Sequence, residues 1–552
     1  MEVGGCFAPP PGGCSLTEER KSLLYKLEPL IKRFPAVTKP EGHVHFRTKL
    51  LWSFGCLLAY FILSNVFIYG VGSSSLDAFS SFRAILAGQS GSLVHLGIGP
   101  IVTGSIIMQL FVGAKIIKLD LQNSEDKGIY QGAQKILVVV MIFVEAIPQV
   151  FGFLQPDKHA IDLFSLGWTR FMIIMQLAVG SYLVFLMDEV VSKWGLGSGI
   201  SLFIVAGVAQ SLFTGLISWI PVQSGAQYSV QNPPGGVIPK TFYLLFAQSA
   251  SQLVGGSGFD VLVFGTASRS QDPNTIAALL GTLTTFFVVV WAEASRIELP
   301  LAHGRVRGAR GRYPIRLLYA SNIPVILAGA LLANVNLIGL LLWSGPLQHM
   351  PFIGGCLDSI CHNAPADQRF LHERYWVGGY ADTTTTPVTG LAYYFSQVSG
   401  LHNWLLPFLS PQFAGVFIQR APWQIILHVA LYAAFMIGGS IIFAIFWIET
   451  TNMGPEQVAK QIEGSGMQIP GFRRDPRVTA KILERYIPVV TVIGGAAVGM
   501  LAVFADLIGT LGNASGTGIL LAVGILQRLY EQIAKEQAME MHPVLRGFFG
   551  EG

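Results

Sequence analysis

Ten long apolar runs alternate with polar intervals along this chain, near residues 50–70, 98–117, 135–154, 170–187, 199–220, 275–293, 317–343, 424–448, 486–507 and 515–533. Most have the roughly 17 to 25 residues that a helix needs to cross a bilayer. The pattern predicts an all-α membrane protein of ten transmembrane helices with both termini on one side. It divides the chain into an N-terminal segment (1–49), a half of five spans (50–220), an intervening loop (221–274), a second half of five spans (275–533) and a tail (534–552). An odd number of spans per half gives the halves opposite orientation. Small-residue starts to the fifth and tenth spans, GLGSGISLF (195–203) and GNASGTGILL (512–521), suggest inverted repeats around a central path. The other reading of these glycines is helix packing alone.

Two further segments carry helical spacing without spanning length. In the first, Leu23, Leu24, Leu27, Leu30, Ile31 and Phe34 alternate with Lys21, Lys26, Lys32 and Arg33. That stripe fits either a helix lying on the membrane surface or one docked on the bundle, with Pro29 kinking it. In the second, residues 76–96, Phe79, Phe82, Ile85 and Leu86 recur at helical spacing; it is too short and polar to cross and reads as a re-entrant or outside helix.

Composition agrees with the pattern: 51% of the 552 residues are hydrophobic, only 12% are charged, and there are 62 glycines. The placement of charge says more than its sum. With the N-terminus in the cytosol, 28 of the 36 Lys and Arg fall in cytosolic segments, the bias that sets membrane orientation. Residues 1–20 have Pro/Gly clusters and no apolar stretch behind a basic start, so the first span is expected to direct insertion. Six of the cytosolic arginines, Arg296, Arg305, Arg307, Arg310, Arg312 and Arg316, sit on the link between the sixth and seventh spans, where Gly304, Gly308 and Gly311 disfavour a continuous helix. Topogenic charge explains part of such a cluster; its length and glycine content favour an exposed platform.

Candidate chemistry is sparse. There is no HExxH, no GxxxxGK[ST] and no GxSxG, so proteolysis and ATP hydrolysis are not expected of this chain. Five cysteines form no metal signature; Cys356 and Cys361, on an outside loop, are either an external disulfide or two free thiols. No cofactor is expected. The chief ionisable residues within spans are Glu145 in the third and Asp506 in the ninth. Such residues are functional candidates, although Asp506, near the end of its span, reads more simply as a membrane-edge residue. A small-solute transporter would carry a midplane cluster of ionisable groups, which this chain lacks. An insertase or scaffold without a through-pore is the third reading.

Longer stretches then add a resemblance. GIGPIVTGSIIMQL (97–110), YQGAQK (130–135), GSGISLFIVAGV (197–208), PLAHGR (300–305), YPIRLLYASNIPVILAGAL (313–331), FWIETT (446–451) and GTGILL (516–521) resemble the SecY family, archaeal type, in order and from about Lys39 to Pro543. The resemblance implies the pore subunit of a protein-conducting channel in the cell membrane, with cytoplasmic termini. Such a subunit passes unfolded, signal-bearing polypeptides across the membrane and releases apolar segments sideways into lipid. It implies a pore ring at Ile98, Val102, Ile200, Ile204, Ile326 and Leu521; each alone would read as a packing or lipid-facing residue. It places a plug over Phe79, Phe82, Ile85 and Leu86, and a lateral-gate polar cluster at Thr103, Glu145 and Asn322. Glu145 stands where other members have an uncharged amide. It assigns ribosome docking to Arg305, Arg307, Arg310 and Arg312, and to Arg473 and Arg474 on GFRRDPRV (471–478). Arginine suits phosphate by charge and bidentate geometry. The partners implied are two single-span subunits, SecE (gamma) and Sec beta, the ribosome, preproteins and membrane lipid.

Overall fold

The computed structural model describes residues 28–33, 37–38, 40, 42, 44–72, 86–113, 116–117, 119, 123–152, 154–221, 228–229, 232–247, 262–263, 274–303, 310–316, 323–344, 377–380, 387–409, 421–451, 453–464, 467–468, 476–512 and 514–541. Ten long helices lie on the ten apolar runs: α1 Phe46–Ser64, α2 Gly99–Gly113, α3 Ser124–Gly152, α4 Leu166–Trp194, α5 Gly199–Ile217, α6 Ile276–Ala294, α7 Ile323–Ser344, α8 Pro422–Thr450, α9 Pro476–Ile508 and α10 Gly516–Met541. Eight are long and apolar enough to cross a membrane. The exceptions are α2, with 15 residues, and α10, which from its middle onward carries Arg528, Glu531, Lys535 and Glu536. Helix α3 starts well before its apolar run, with Glu125 and Asp126 in its first turn, where carboxylates meet the positive end of the helix dipole.

One hydrophobic core draws buried side chains from all ten helices, from Tyr60 of α1 to Ile525 of α10. Small residues set how closely backbones approach. A Cβ on Gly499 of α9 would lie 2.8 Å from Ile437 Cα of α8, and one on Gly495 would lie 3.1 Å from Ile441 Cα. This GxxxG spacing seats α9 on α8 as small residues seat membrane helices elsewhere.

The described part of the N-terminal stripe, a helix over Glu28–Arg33, docks on the bundle: Ile31 fills the notch at Gly132 of α3. The following backbone is tied to α4. Val37 N–H donates to Glu189 Oε2 at 3.2 Å, the Lys193 ammonium donates to the Val37 carbonyl, and Trp194 Nε1 donates to the Thr38 carbonyl at 2.9 Å. Glu189 also holds Lys135 of α3 and Lys193, so one carboxylate joins two helices and the incoming chain.

Between α6 and α7, strand β1 (Arg296–His303) pairs antiparallel with β2 (Arg310–Arg316). A short two-stranded ribbon follows, β3 (Gly379–Tyr380) with β4 (Pro387–Thr389). Strand β5 (Met467–Gln468), from the link between α8 and α9, adds to the free edge of β1, giving the order β2-β1-β5. The two basic links are therefore one sheet.

The turn between α9 and α10 is held by the start of its own half and meets α5 of the other half. Gly512 N–H donates to Asn274 Oδ1 at 2.8 Å and Leu511 N–H to Thr282 Oγ1 of α6 at 2.9 Å. On the other side, a Cβ at Gly512 would lie 2.3 Å from the Ser211 carbonyl oxygen of α5.

Candidate functional site: an aliphatic core and a polar seam

The six aliphatic positions come from both halves: Ile98 immediately before α2, Val102 in α2, Ile200 and Ile204 in α5, Ile326 in α7 and Leu521 in α10. Ile98, Ile204 and Leu521 are wholly buried, Val102 and Ile326 nearly so, and Ile200 is partly buried against the same core. Ile98 is also where the segment before α2 is fastened. Its N–H donates to the Leu86 carbonyl at 2.7 Å, and Tyr60 of α1 donates to the Ala87 carbonyl at 2.8 Å. Leu86 is buried; Phe79, Phe82 and Ile85 lie outside the described residues.

Beside this core a polar seam joins α2, α3 and α7. The Thr103 hydroxyl has one proton, directed at Glu145 Oε1 (2.8 Å) or at the Gly99 carbonyl (2.9 Å). Asn334 Nδ2 donates to Thr103 Oγ1 at 3.3 Å and to the Ala330 carbonyl at 2.9 Å. Glu145 is buried, and its Oε2 would lie 3.0 Å from a Cβ on Gly99, so glycine there makes room for the carboxyl. A second tie between α2 and α3, Gln134 Nε2 to Ser105 Oγ at 2.7 Å, continues the seam. Asn322 lies outside the described residues. Asn334, one of two amides in an otherwise apolar helix with Asn336, was the available sequence signal for α7's contact with the seam.

Arg310 and Arg312 fall on β2, in register with Ala302 and Pro300 of β1. Arg305, Arg307, Arg473 and Arg474 lie outside the described residues, as do Cys356 and Cys361. Among the described residues no group of His, Cys, Asp and Glu is arranged to hold a metal.

Asp506, two residues before the end of α9, is buried in the protein, 2% exposed, and its side chain accepts four hydrogen bonds. Gln397 Nε2 (3.0 Å) and Thr517 N–H (3.1 Å) reach Oδ1; Tyr432 Oη (2.6 Å) and Thr517 Oγ1 (2.7 Å) reach Oδ2. Four donors satisfy a buried carboxylate without a counter-ion.

Two five-helix halves sharing one apolar core, with a seam of hydrogen bonds beside it, define a multi-pass membrane channel subunit. A family model described as SecY matches residues 92–530, and one described as the plug domain of Sec61p matches residues 58–91. The chain belongs to the SecY family. The protein translocase subunit SecY of Archaeoglobus fulgidus is 44% identical, over 96% of this chain and 99% of its own length. The solved structure of a protein conducting channel is 36% identical with a TM-score of 0.71, covering 94% of this chain and 98% of that one. Sec61 in a canine ribosome–channel complex from the endoplasmic reticulum is also 36% identical, with a TM-score of 0.68 and the same coverage. The chain is a channel component and not an enzyme.

Proposed function

We propose that this chain forms the pore through which unfolded, signal-bearing polypeptides cross the membrane, with Ile98, Val102, Ile200, Ile204, Ile326 and Leu521 as its constriction. The observation that carries this reading is that both halves contribute these charge-free aliphatic side chains to one core. A polypeptide of any sequence must slide past such a neck, while a poorly wetted aliphatic wall excludes ions. Charged lining would select among substrates and conduct salt.

Thr103, Glu145 and Asn334, together with Asn322 of the same sequence stretch as α7, form the seam of a lateral gate between α2–α3 and α7. Interhelical polar contacts in membranes are worth only about 1 kcal/mol each. A seam of this strength yields when a signal helix intercalates, whereas a strongly bonded one would stay shut. The segment Phe79, Phe82, Ile85 and Leu86 closes the outer funnel as a plug; the plug-domain match and the fastening of Leu86 to Ile98 support this placement.

The termini and both basic links face the cytosol, on the charge bias alone. Arg305, Arg307, Arg310, Arg312, Arg473 and Arg474 dock the ribosome; one of the matched structures is Sec61 in a ribosome–channel complex. Two single-span subunits, SecE (gamma) and Sec beta, complete the channel.

The test is cysteine cross-linking between a stalled nascent chain and a cysteine at Ile326. A cross-link that forms only when the nascent chain carries a functional signal is expected. Absence of any cross-link, with small-solute uptake by the purified protein, would replace this reading by a transporter.

A further inference from the structure

The fifth helix of each half begins in the same way, although beyond a shared Ser-Gly the two beginnings differ in sequence. In α5, the N–H of Ile200, the second residue, donates to Asp188 Oδ1 of α4 at 2.8 Å. In α10, the N–H of Thr517, again the second residue, donates to Asp506 Oδ1 of α9 at 3.1 Å. The first residue is glycine in both. A Cβ on Gly199 would lie 2.5 Å from Asp188 Cα, and one on Gly516 would lie 2.2 Å from the Ala505 carbonyl carbon. In both halves, then, the preceding helix presses against the start of the fifth helix and lends it a carboxylate.

We infer that Asp188 and Asp506 are a symmetry-related pair of positioning residues, each fixing the start of a fifth helix and thereby the seating of the aliphatic side chain four residues on, Ile204 in α5 and Leu521 in α10. The inference rests on the reading of those two side chains as pore lining.

The physical reason lies in where the cap comes from. A cap supplied by a helix's own N-cap residue stabilises the helix but does not locate it. A carboxylate borrowed from a neighbouring helix fixes axial height and rotation as well, because the acceptor belongs to another rigid body. Ser198, the N-cap of α5, makes no side-chain hydrogen bond to its helix, so Asp188 takes that place. In α10, Ser515 Oγ accepts from Gly518 N–H at 3.1 Å, and Asp506 adds a second, external acceptor. Each carboxylate also faces the positive end of the helix dipole. Residues four apart share a helix face, so what holds position 200 or 517 sets the direction of 204 or 521.

The two sites lie at opposite ends of the bundle. Gly197, at the start of α5, sits beside Gln532 far along α10, whereas Gly215, near the end of α5, sits beside Gly512 just before α10. The helices are antiparallel, and one carboxylate braces the pore from each side.

The surroundings differ. Asp188 is half-buried, next to Glu189 with its Lys135 and Lys193 partners. Asp506 is buried and additionally held by Tyr432 and Gln397.

The experiment measures resting ion leak per channel in planar bilayers, using the full chain in its native complex. Asp188→Ala and Asp506→Ala are compared with Ile204→Asn and Leu521→Asn, singly and combined within each half. Each Asp→Ala is expected to raise leak about fivefold, equivalent through RT to the roughly 1 kcal/mol that a helix cap supplies. Asp188→Asn, which keeps an acceptor for Ile200 N–H, restores the seal, as a merely destabilised fold would not. Combining Asp→Ala with the pore substitution of the same half adds nothing beyond the pore substitution alone. If the Asn pore variants leak while both Asp→Ala channels stay sealed, or if effects add fully, positioning is wrong and the pore reading stands. If the Asn pore variants themselves stay sealed, the pore reading fails and takes this inference with it. Should Asp506→Ala not accumulate, the half-buried Asp188 decides by the same comparisons.

Discussion

Asn334 shows how small the forces at the seam are. Its 3.3 Å contact with Thr103 is at the long end of a hydrogen bond, and double-mutant cycles in membrane proteins place such contacts near 0.6 kcal/mol. Asn334→Leu is therefore expected to ease lateral opening by about threefold, a fraction of RT ln 10, seen as increased insertion of a substrate with a shortened apolar signal. Unchanged insertion would mean that α7 contributes no polar restraint. The sequence made Glu145 visible because an ionisable side chain stands out in an apolar run, whereas Thr103 was picked out only by the resemblance to the SecY family. It did not make Asp506 legible as a hub, since its partners Gln397 and Tyr432 lie 109 and 74 residues away and no local pattern links them. The matching role of Asp188 was hidden for another reason: the equivalence is one of geometry, a second-residue N–H in each fifth helix, with Ile200 in one place and Thr517 in the other.

At the scale of elements, all ten helices were legible from apolar runs, because a backbone in lipid must satisfy its own hydrogen bonds. Their ends were less so. Helices α3, α9 and α10 run past the apolar windows into charged sequence, since adding a residue to an existing helix is far cheaper than starting one. Glycines marked the link between α6 and α7 as non-helical, but a strand pairing between Ala302 and Gln468 depends on long-range register and has no signature at either site. That pairing bears on docking. Arg307→Glu and Arg473→Glu are each expected to weaken ribosome binding, with the double variant losing more and the loss of the wild-type interaction growing with salt, because exposed charges are screened within about 10 Å at 0.1 M. Binding isotherms at two ionic strengths check this; unaltered affinity would leave the arginines a purely topogenic role.

Over the whole molecule, one junction of the halves lies where α5 meets the α9–α10 turn, which α6 of the same half also holds. Gly512 has a φ of +68° there, and a Cβ would overlap the Ser211 carbonyl oxygen. Gly512→Ala is expected to cost about 1 to 3 kcal/mol, read as a lowered thermal midpoint of the solubilised complex. Lys49→Ala, which removes the partly exposed Lys49–Glu536 pair between α1 and α10, should cost under about 1 kcal/mol. Equal effects would contradict the ranking of a steric clasp over a surface ion pair. The three-stranded sheet has a consequence in time. Met467 follows His303 by 164 residues, and at roughly 5–20 residues per second of synthesis the free edge of β1 waits tens of seconds or less for its last neighbour. Until α8 has been made and the chain has returned, the hairpin is an unfinished edge. A newly made channel thus completes this sheet only after eight of its ten helices exist, so the finished sheet marks a chain that is nearly whole.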